Sequence, residues 1–416
     1  MPLTDENWMP INHSPHFLDN MGIEFLNCRK KAMIDRQLQE RASEMLTKYP
    51  LISITGPRQS GKTTLAKLLR PNYRYVSLES PSERDFARQD PAGFLETYRG
   101  GVILDEVQYV PELFSYLQLV TDARQQTGEY ILTGSQNFLM MEQITQSLAG
   151  RVAVFTLLPL SWSELRPTAY APASWEAYVV GGSYPRQLIH DIDPAGFYDS
   201  YLQTYVERDV RRVKNILNLG LFQKFIQLLA GRIGQLFNQQ SLGVELGVDN
   251  KTVNAWLSVL ETSFIAYRLP PYYQNFSKRI VKTPKVYFYD TGLAAYLLGI
   301  RSVADLAVHF ARGPLFENLI INELTKNWLN RGQRPPFYFW SDQSNHEIDL
   351  LIDKGTYLQT IEIKSGRTIQ PDFFKGLQYF GKLAPATSPA LVYGGDNPQQ
   401  RTTTQVLTIN ELDTIH

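Results

Sequence analysis

The feature that most restricts this chain is the run ISITGPRQSGKTT, Ile52 to Thr64. An apolar segment (Leu51, Ile52, Ile54) leads into Gly56-x-x-x-x-Gly61-Lys62-Thr63. An apolar-periodic segment, Leu65 to Leu69, follows. This reads as strand, glycine-bracketed loop and helix. Such a loop needs glycines because its backbone must come close to phosphate oxygens and turn its N–H groups inward. The next helix aims its N-terminus at the same anion. In this reading Gly56, Pro57, Arg58, Gln59, Ser60, Gly61, Lys62, Thr63 and Thr64 line the phosphates. Lys62 reaches the β- and γ-groups, and the Thr63 hydroxyl ligates Mg2+.

A chain of 416 residues is long for one ordinary domain, so two to four are expected at roughly 100–200 residues each. Lys plus Arg and Asp plus Glu both number 41, so overall charge speaks neither for nor against nucleic acid; only local clusters can. Cys28 is the one cysteine. That excludes an internal disulfide framework and a cysteine-based metal site. No apolar run reaches the ~18 residues of a membrane span, and the first residues lack a charged region followed by an apolar one. A cytoplasmic protein is expected, with no membrane partner.

Ile34 to Tyr49 carries apolar residues at helical spacing and predicts a helix ahead of the first strand. Tyr73 to Leu78 alternates and predicts a second strand. Farther on, Val102-Ile103-Leu104 ends in Asp105 and Glu106. A buried strand stopping at two acids serves phosphoryl transfer, which is mostly positioning and charge stabilisation. Asp105 would support the metal and Glu106 would polarise the attacking water. The alternative is a strand that simply ends on charged residues. Tyr130 to Asn137 (YILTGSQN) gives another strand with a polar end. Inserted between the Ile52 and Asp105 strands, it would set Ser135 or Asn137 beside the γ-phosphate as a sensor. Val152 to Leu157 reads as the last parallel strand. Strands alternating with helical patterns predict an α/β three-layer core.

The segments GPRQSGKTT, VILDEVQ, LTGSQNF, SLAGRV and PLSWSEL together resemble a large family of prokaryotic AAA+-type ATPases. It is related to the MNS and STAND groups and carries a C-terminal domain of unknown function. The resemblance runs from about Met33 to the C-terminus. It implies an additional-strand (ASCE) P-loop core, ATP rather than GTP, and a helical segment after the core. Tyr170 to Leu229 is helix-rich by pattern and breaks at Gly181-Gly182-Ser183-Tyr184-Pro185. This break is similar to the Gly-x-Pro turn that STAND ATPases place near the nucleotide, with two residues rather than one between Gly182 and Pro185. An arginine finger from a neighbouring subunit would come from Arg151 or Arg208. A homo-oligomer, up to a hexameric ring, is compatible with that. Arg208, Arg211, Arg212 and Lys214 equally fit a solvated helix face paired with Glu207 and Asp209.

Gln239 to Leu260 holds two short apolar-faced helices. Gly247-Val248 sits at the turn, and Asp249 or Asn250 caps the second helix. That is a helix-turn-helix, and Ser263 to Tyr267 would open a hairpin, giving a winged helix. Between Glu261 and Asp290 there is no acid. Arg268, Lys278, Arg279, Lys282 and Lys285 are interleaved there with Tyr272, Tyr273 and Phe276. Such a wing would grip phosphates; the alternative is a lid or a subunit contact.

In the last segment Glu317 lies on an apolar-periodic helix, Asp349 on a strand, and Glu362 and Lys364 two apart on one face of another strand. This order resembles the PD-(D/E)xK fold of restriction endonucleases. The resemblance implies a divalent ion held by Glu317, Asp349 and Glu362, with Lys364 orienting the attacking water. Some relatives keep that fold for binding only. The expected organisation is an N-terminal extension (1–32, with Met33 an alternative start), an α/β AAA+ ATPase core (33–165) and a helical lid segment (166–230). A winged-helix domain (231–300) and a restriction-endonuclease-like α/β domain (301–416) complete it. The expected cofactors are ATP and Mg2+, and the expected partner is DNA, with branched and single-stranded forms as candidates. The competing readings are a STAND-like ATP switch and a regulator acting through the helix-turn-helix.

Overall fold

The computed structural model describes residues 34–135, 137–205, 218–273, 281–344, 346–384 and 386–415, without the side chains of 137–139. The chain divides into two units, residues 1–35 and 36–416. The expected extension lies outside the described residues, and the described helices and strands all belong to the second unit.

Helix α1 (Leu38–Leu46) buries Leu38, Ala42, Met45 and Leu46, one stripe of a 3.6-residue period. Strand β1 (Leu51–Thr55) is buried throughout and feeds the glycine loop, after which α2 (Lys62–Leu69) begins. Then come β2 (Arg74–Ser77), α3 (Pro81–Gln89), α4 (Pro91–Thr97), β3 (Val102–Asp105) and α5 (Leu113–Arg124). Strand β4 (Tyr130–Gly134), α6 (Asn137–Ser147) and β5 (Val152–Thr156) complete the layer. Helices α3 and α4 open on proline, whose missing N–H has no helical partner at that position anyway.

The five strands are parallel, in the order β2-β3-β4-β1-β5. Strand β4 thus separates β1 from β3, as the sequence predicts. Alternate strand residues point to opposite faces, so Ile103 and Leu104 enter different apolar clusters. One cluster joins Leu104 and Leu132 to Phe114 and Leu117; the other joins Ile103 and Ile131 to Leu38 and Leu65. Parallel pairing sets Asp105 beside Ser77 on one side and Thr133 on the other.

A helical stretch follows: α7 (Trp162–Leu165), α8 (Trp175–Gly181), α9 (Pro185–Ile189), α10 (Pro194–Tyr205) and α11 (Leu219–Ala230). Next come α12 (Gln239–Leu246) and α13 (Asn250–Thr262). Gly247 between them has φ +69°, and the Asp249 side chain accepts from the Thr252 N–H to cap α13. Both Trp256 and Leu257 are buried, Trp256 against Phe222 and Phe225 of α11.

Strands β6 (Ala266–Leu269) and β7 (Lys285–Phe288) pair antiparallel. The segment that leaves β6 packs on the C-terminal sheet. The Tyr272 N–H donates to the Phe339 carbonyl at 2.8 Å, and the Phe339 N–H to Pro270 at 3.1 Å. Tyr272 is buried in the C-terminal core, edge-on to Tyr338. The physical reason is apolar area: Tyr272, Val286 and Phe288 leave water only by packing on a neighbour.

The chain continues through α14 (Thr291–Leu297), α15 (Val303–Val308), the 19-residue α16 (Arg312–Asn330), β8 (Phe337–Ser341), β9 (Glu347–Asp353) and β10 (Leu358–Lys364). It ends with α17 (Lys375–Leu383), β11 (Thr387–Tyr393), β12 (Gln399–Gln400) and β13 (Gln405–Leu407). These six strands form one sheet, β12-β13-β11-β10-β9-β8. Strands β8, β9 and β10 are antiparallel neighbours. Strand β11 runs parallel to β10, which requires a crossover, and α17 supplies it. Among the described residues, no helix is long and apolar enough to cross a membrane.

Candidate nucleotide site and a second acid cluster

Two glycines shape the loop. Gly56 has φ +148°, and a Cβ there would lie 2.1 Å from the Leu157 carbonyl oxygen; Gly61 has φ +96° as the residue before α2. Both demands favour glycine. The Lys62 ammonium donates to the carbonyls of Gly56 (3.0 Å) and Pro57 (2.8 Å). At the adjoining strand end, the Thr63 hydroxyl donates to Asp105 Oδ2 at 3.0 Å. Tyr75 donates to the same oxygen at 2.6 Å, and Thr133 to Oδ1. Burial first, then the bond to and charge of Asp105, raise the Tyr75 hydroxyl above its ordinary pKa.

Glu106 adopts the left-handed region, φ +55° and ψ +45°. That conformation is costly for a non-glycine residue and belongs to sites that over-determine their geometry. Its Oε2 accepts from the Gln108 amide, from Ser135 Oγ at 3.0 Å and from the Ser135 N–H at 3.4 Å. Sequence reasoning passed over Tyr75, Thr133 and Gln108. Gln108 was visible as the last letter of VILDEVQ, and Thr133 follows from strand register. ATP with Mg2+ fits these residues. At Gly56 the cradle leaves no room for a Cβ, and Thr63 and Asp105 offer adjacent oxygen donors, the kind Mg2+ takes.

The Gly182–Pro185 turn does reach this loop: Pro185 Cγ lies 3.9 Å from a Cβ built on Gly61. Gly182 has φ +74°, and a side chain there would strike the Tyr198 hydroxyl at 1.7 Å. The Ser183 N–H and hydroxyl both donate to Asp290 at 3.1 Å, and Tyr198 donates to Asp290 at 2.5 Å. Next to the turn, the Lys326 ammonium of α16 is 3% exposed. It lies within hydrogen-bond distance of Leu160 O, Tyr178 Oη, Ser183 Oγ and Glu323 Oε1, at 2.8–3.3 Å. Of the finger candidates, Arg151 pairs both arms with Asp122 of α5 at 2.5 and 2.8 Å. Arg208 and the Asn137 side chain lie outside the described residues.

Glu317, Asp349, Glu362 and Lys364 occupy one neighbourhood, though not as an ion cage. Lys364 Nζ reaches Glu362 Oε1 at 2.5 Å and Asp349 Oδ2 at 3.4 Å. Lys285 Nζ, from β7, pairs with Glu317 at 3.1 Å and with Glu347. Tyr287 also donates to Glu317. Among the described residues, no group of three His, Cys, Asp or Glu is arranged to hold a metal ion. The ammonium groups take up the positions between the acids. Lys285 is 3% exposed and does not face solvent; Arg268 is partly exposed and paired with Glu261. Lys278, Arg279 and Phe276 lie outside the described residues.

Burial lowers a lysine, yet Glu317, Glu347 and Asp349 outweigh it and hold Lys285 above its ordinary range. Burial, then the Asp349 charge, push Glu362 up to about 8 against the pull of Lys364. Glu362 Oε2 is buried with no hydrogen-bond partner. A Cβ on Gly376 would lie 3.2 Å from it.

Residues 48–166 match the AAA domain family. Residues 172–304 and 312–412 match two domains of unknown function, DUF8612 and DUF4143. The uncharacterized proteins Mb2031c of Mycobacterium bovis and Rv2008c of Mycobacterium tuberculosis are each 28% identical over 364 residues, 87% of this chain and 80% of theirs. Among solved structures, the Walker-type ATPase PABY2304 of Pyrococcus abyssi aligns at TM-score 0.40 and 16% identity, covering 64% of this chain and 96% of its own. The STAND protein PH0952 of Pyrococcus horikoshii, with a tetratricopeptide repeat sensor, aligns at 0.29 and 13%, covering 72% and 48%. The AAA match, the parallel sheet order and the glycine loop agree: residues 48–166 are a P-loop ATPase domain of the AAA kind.

Proposed function

We propose that this chain binds and hydrolyses ATP at the loop Gly56–Thr64, and that turnover controls what its C-terminal half engages. The observation that carries this is the meeting of Thr63, Asp105, Glu106 and Ser135 at adjoining strand ends. In this reading Lys62 and the loop N–H groups bind the phosphates, and Thr63 and Asp105 hold Mg2+, which would offset phosphate charge. Glu106 orients the attacking water and takes its proton, with Ser135 or Asn137 reporting on the γ-phosphate. Arg151 or Arg208 of a neighbouring copy would complete the site. The lid is 166–230, the winged helix 231–300 and the partner-facing domain 301–416.

The test is ATP hydrolysis by the full chain, alone and with duplex, single-stranded or branched DNA, following DNA length in the same tubes. Stimulation by one form makes DNA the partner. A flat rate with intact DNA instead favours a STAND-like switch with a protein partner. Absence of any hydrolysis overturns the reading.

A second activity, cleavage of DNA by the C-terminal domain, is favoured by one observation. Asp349, Glu362 and Lys364 converge, and Glu362 Oε2 is buried without a partner. Products in Mg2+ or Mn2+ that vanish in the E362A/K364A double variant would support it. Undiminished cutting by that variant would sink it.

A further inference from the structure

Arg36 lies ahead of α1 and outside the residues that match the AAA family. Its side chain is 6% exposed, and each nitrogen of its guanidinium has a partner far away in sequence. Nη1 donates to the Ser60 carbonyl at 2.7 Å, Nη2 to the Leu158 carbonyl at 2.7 Å, and Nε to Glu164 Oε1 at 3.0 Å. The Ser60 carbonyl belongs to the phosphate loop itself. In a trans peptide the carbonyl and the next N–H point in opposite directions. Drawing Ser60 O outward therefore turns the Gly61 N–H inward, toward the cradle where a phosphate oxygen sits. Glu164 is itself fixed: its side chain is fully buried and closes the capping box of α7 with Ser161. The planar, three-sided fork of an arginine suits this task, and a lysine supplies only one point of charge.

We propose that Arg36 is a positioning residue of the nucleotide site, setting the inward aim of the Gly61 N–H through the Ser60 carbonyl. It also ties the loop to the PLSWSEL segment, which accounts for both motifs in one contact. The inference rests on the P-loop reading of Gly56–Thr64.

The experiment uses the full chain and a fluorescent ADP, with wild type, R36M, R36K and E164Q compared by Kd, binding stoichiometry and the KM and kcat of ATP hydrolysis. Loss of a bond to a charged group predicts a Kd about 10-fold weaker for R36M, with R36K between it and wild type. The loss falls on KM, with kcat of the competent fraction within about twofold. E164Q keeps the Ser60 arm and shifts Kd by less than about threefold. A merely structural role would lower stoichiometry and melting temperature and leave the Kd of the competent fraction unchanged. That result for R36M overturns the proposal; should R36M fail to fold, a wild-type Kd in R36K does so. Wild-type protein that binds no ADP would overturn the P-loop reading itself, a separate outcome.

Discussion

The two acid-bearing sites solve the same electrostatic problem in opposite ways. At the phosphate loop, the bonds described on Asp105 and Glu106 come from neutral donors: Thr63, Tyr75 and Thr133 on one, Gln108 and Ser135 on the other. Hydroxyls and amides orient a carboxylate without cancelling its charge, so the field remains for a cation. In the C-terminal cluster, Glu317, Glu347, Asp349 and Glu362 each meet an ammonium, from Lys285 or Lys364. The first site is held by neutral donors; the second is already half balanced by the protein. Shape and residue type alone do not make two acid groups equivalent; the character of their donors decides.

The sharpest way to break this contrast is Glu106→Gln. Loss of a general base predicts hydrolysis slower by about 100-fold or more, with fluorescent ADP binding unchanged. A kcat near wild type would remove Glu106 from the chemistry. Lys285→Met tests the other side. Removing one partner of a buried pair costs about 3–5 kcal/mol, read as a fall in melting temperature. The double variant K285M/E317M, apolar on both sides, should recover much of that. An unchanged K285M would mean the ammonium balances nothing.

A third test comes from Glu362, raised from 4.5 to about 8. Between those values the folded chain keeps a proton that the unfolded chain has released, so stability falls as pH rises through that window. Glu362→Gln holds the shape without the charge. It should melt roughly 5 °C above wild type beyond pH 8, with the gain shrinking as the pH falls toward 4.5. A pH-independent difference would show that packing, not charge, is at stake. The smallest effect belongs to Tyr75→Phe. One lost hydrogen bond to Asp105, ~1 kcal/mol, should raise the Mg2+ concentration for half-maximal hydrolysis about fivefold while KM for ATP holds.

What could be read in the sequence was local. Gly56, Gly61, Lys62 and Thr63 lie in one loop, and the Asp105 and Ser135 strand ends are each marked by a few adjacent residues. The strand order brings them together by a rule of parallel α/β layers. Arg36 escaped notice because its partners lie 24, 122 and 128 residues away. Lys285 misled for a related reason. A basic residue in an acid-free stretch reads as exposed, and the acids that bury it stand 32 and 62 residues later. The helix pair flanking Gly247 was legible because turn glycine, cap and apolar period all fall within one short window.

Helix α16 carries Glu317 near one end and the Glu323–Lys326 pair two turns on. With 1.5 Å of rise per residue, the two acids sit about 9 Å apart along one rod. The Trp162 N–H holds Glu323 at 2.6 Å, and the Leu160 carbonyl holds Lys326. The rod is therefore keyed to the segment leaving the ATPase sheet. Glu317 therefore sits on the same rod that the ATPase sheet's exit segment grips, and its partner Lys285 comes from the separate strand β7.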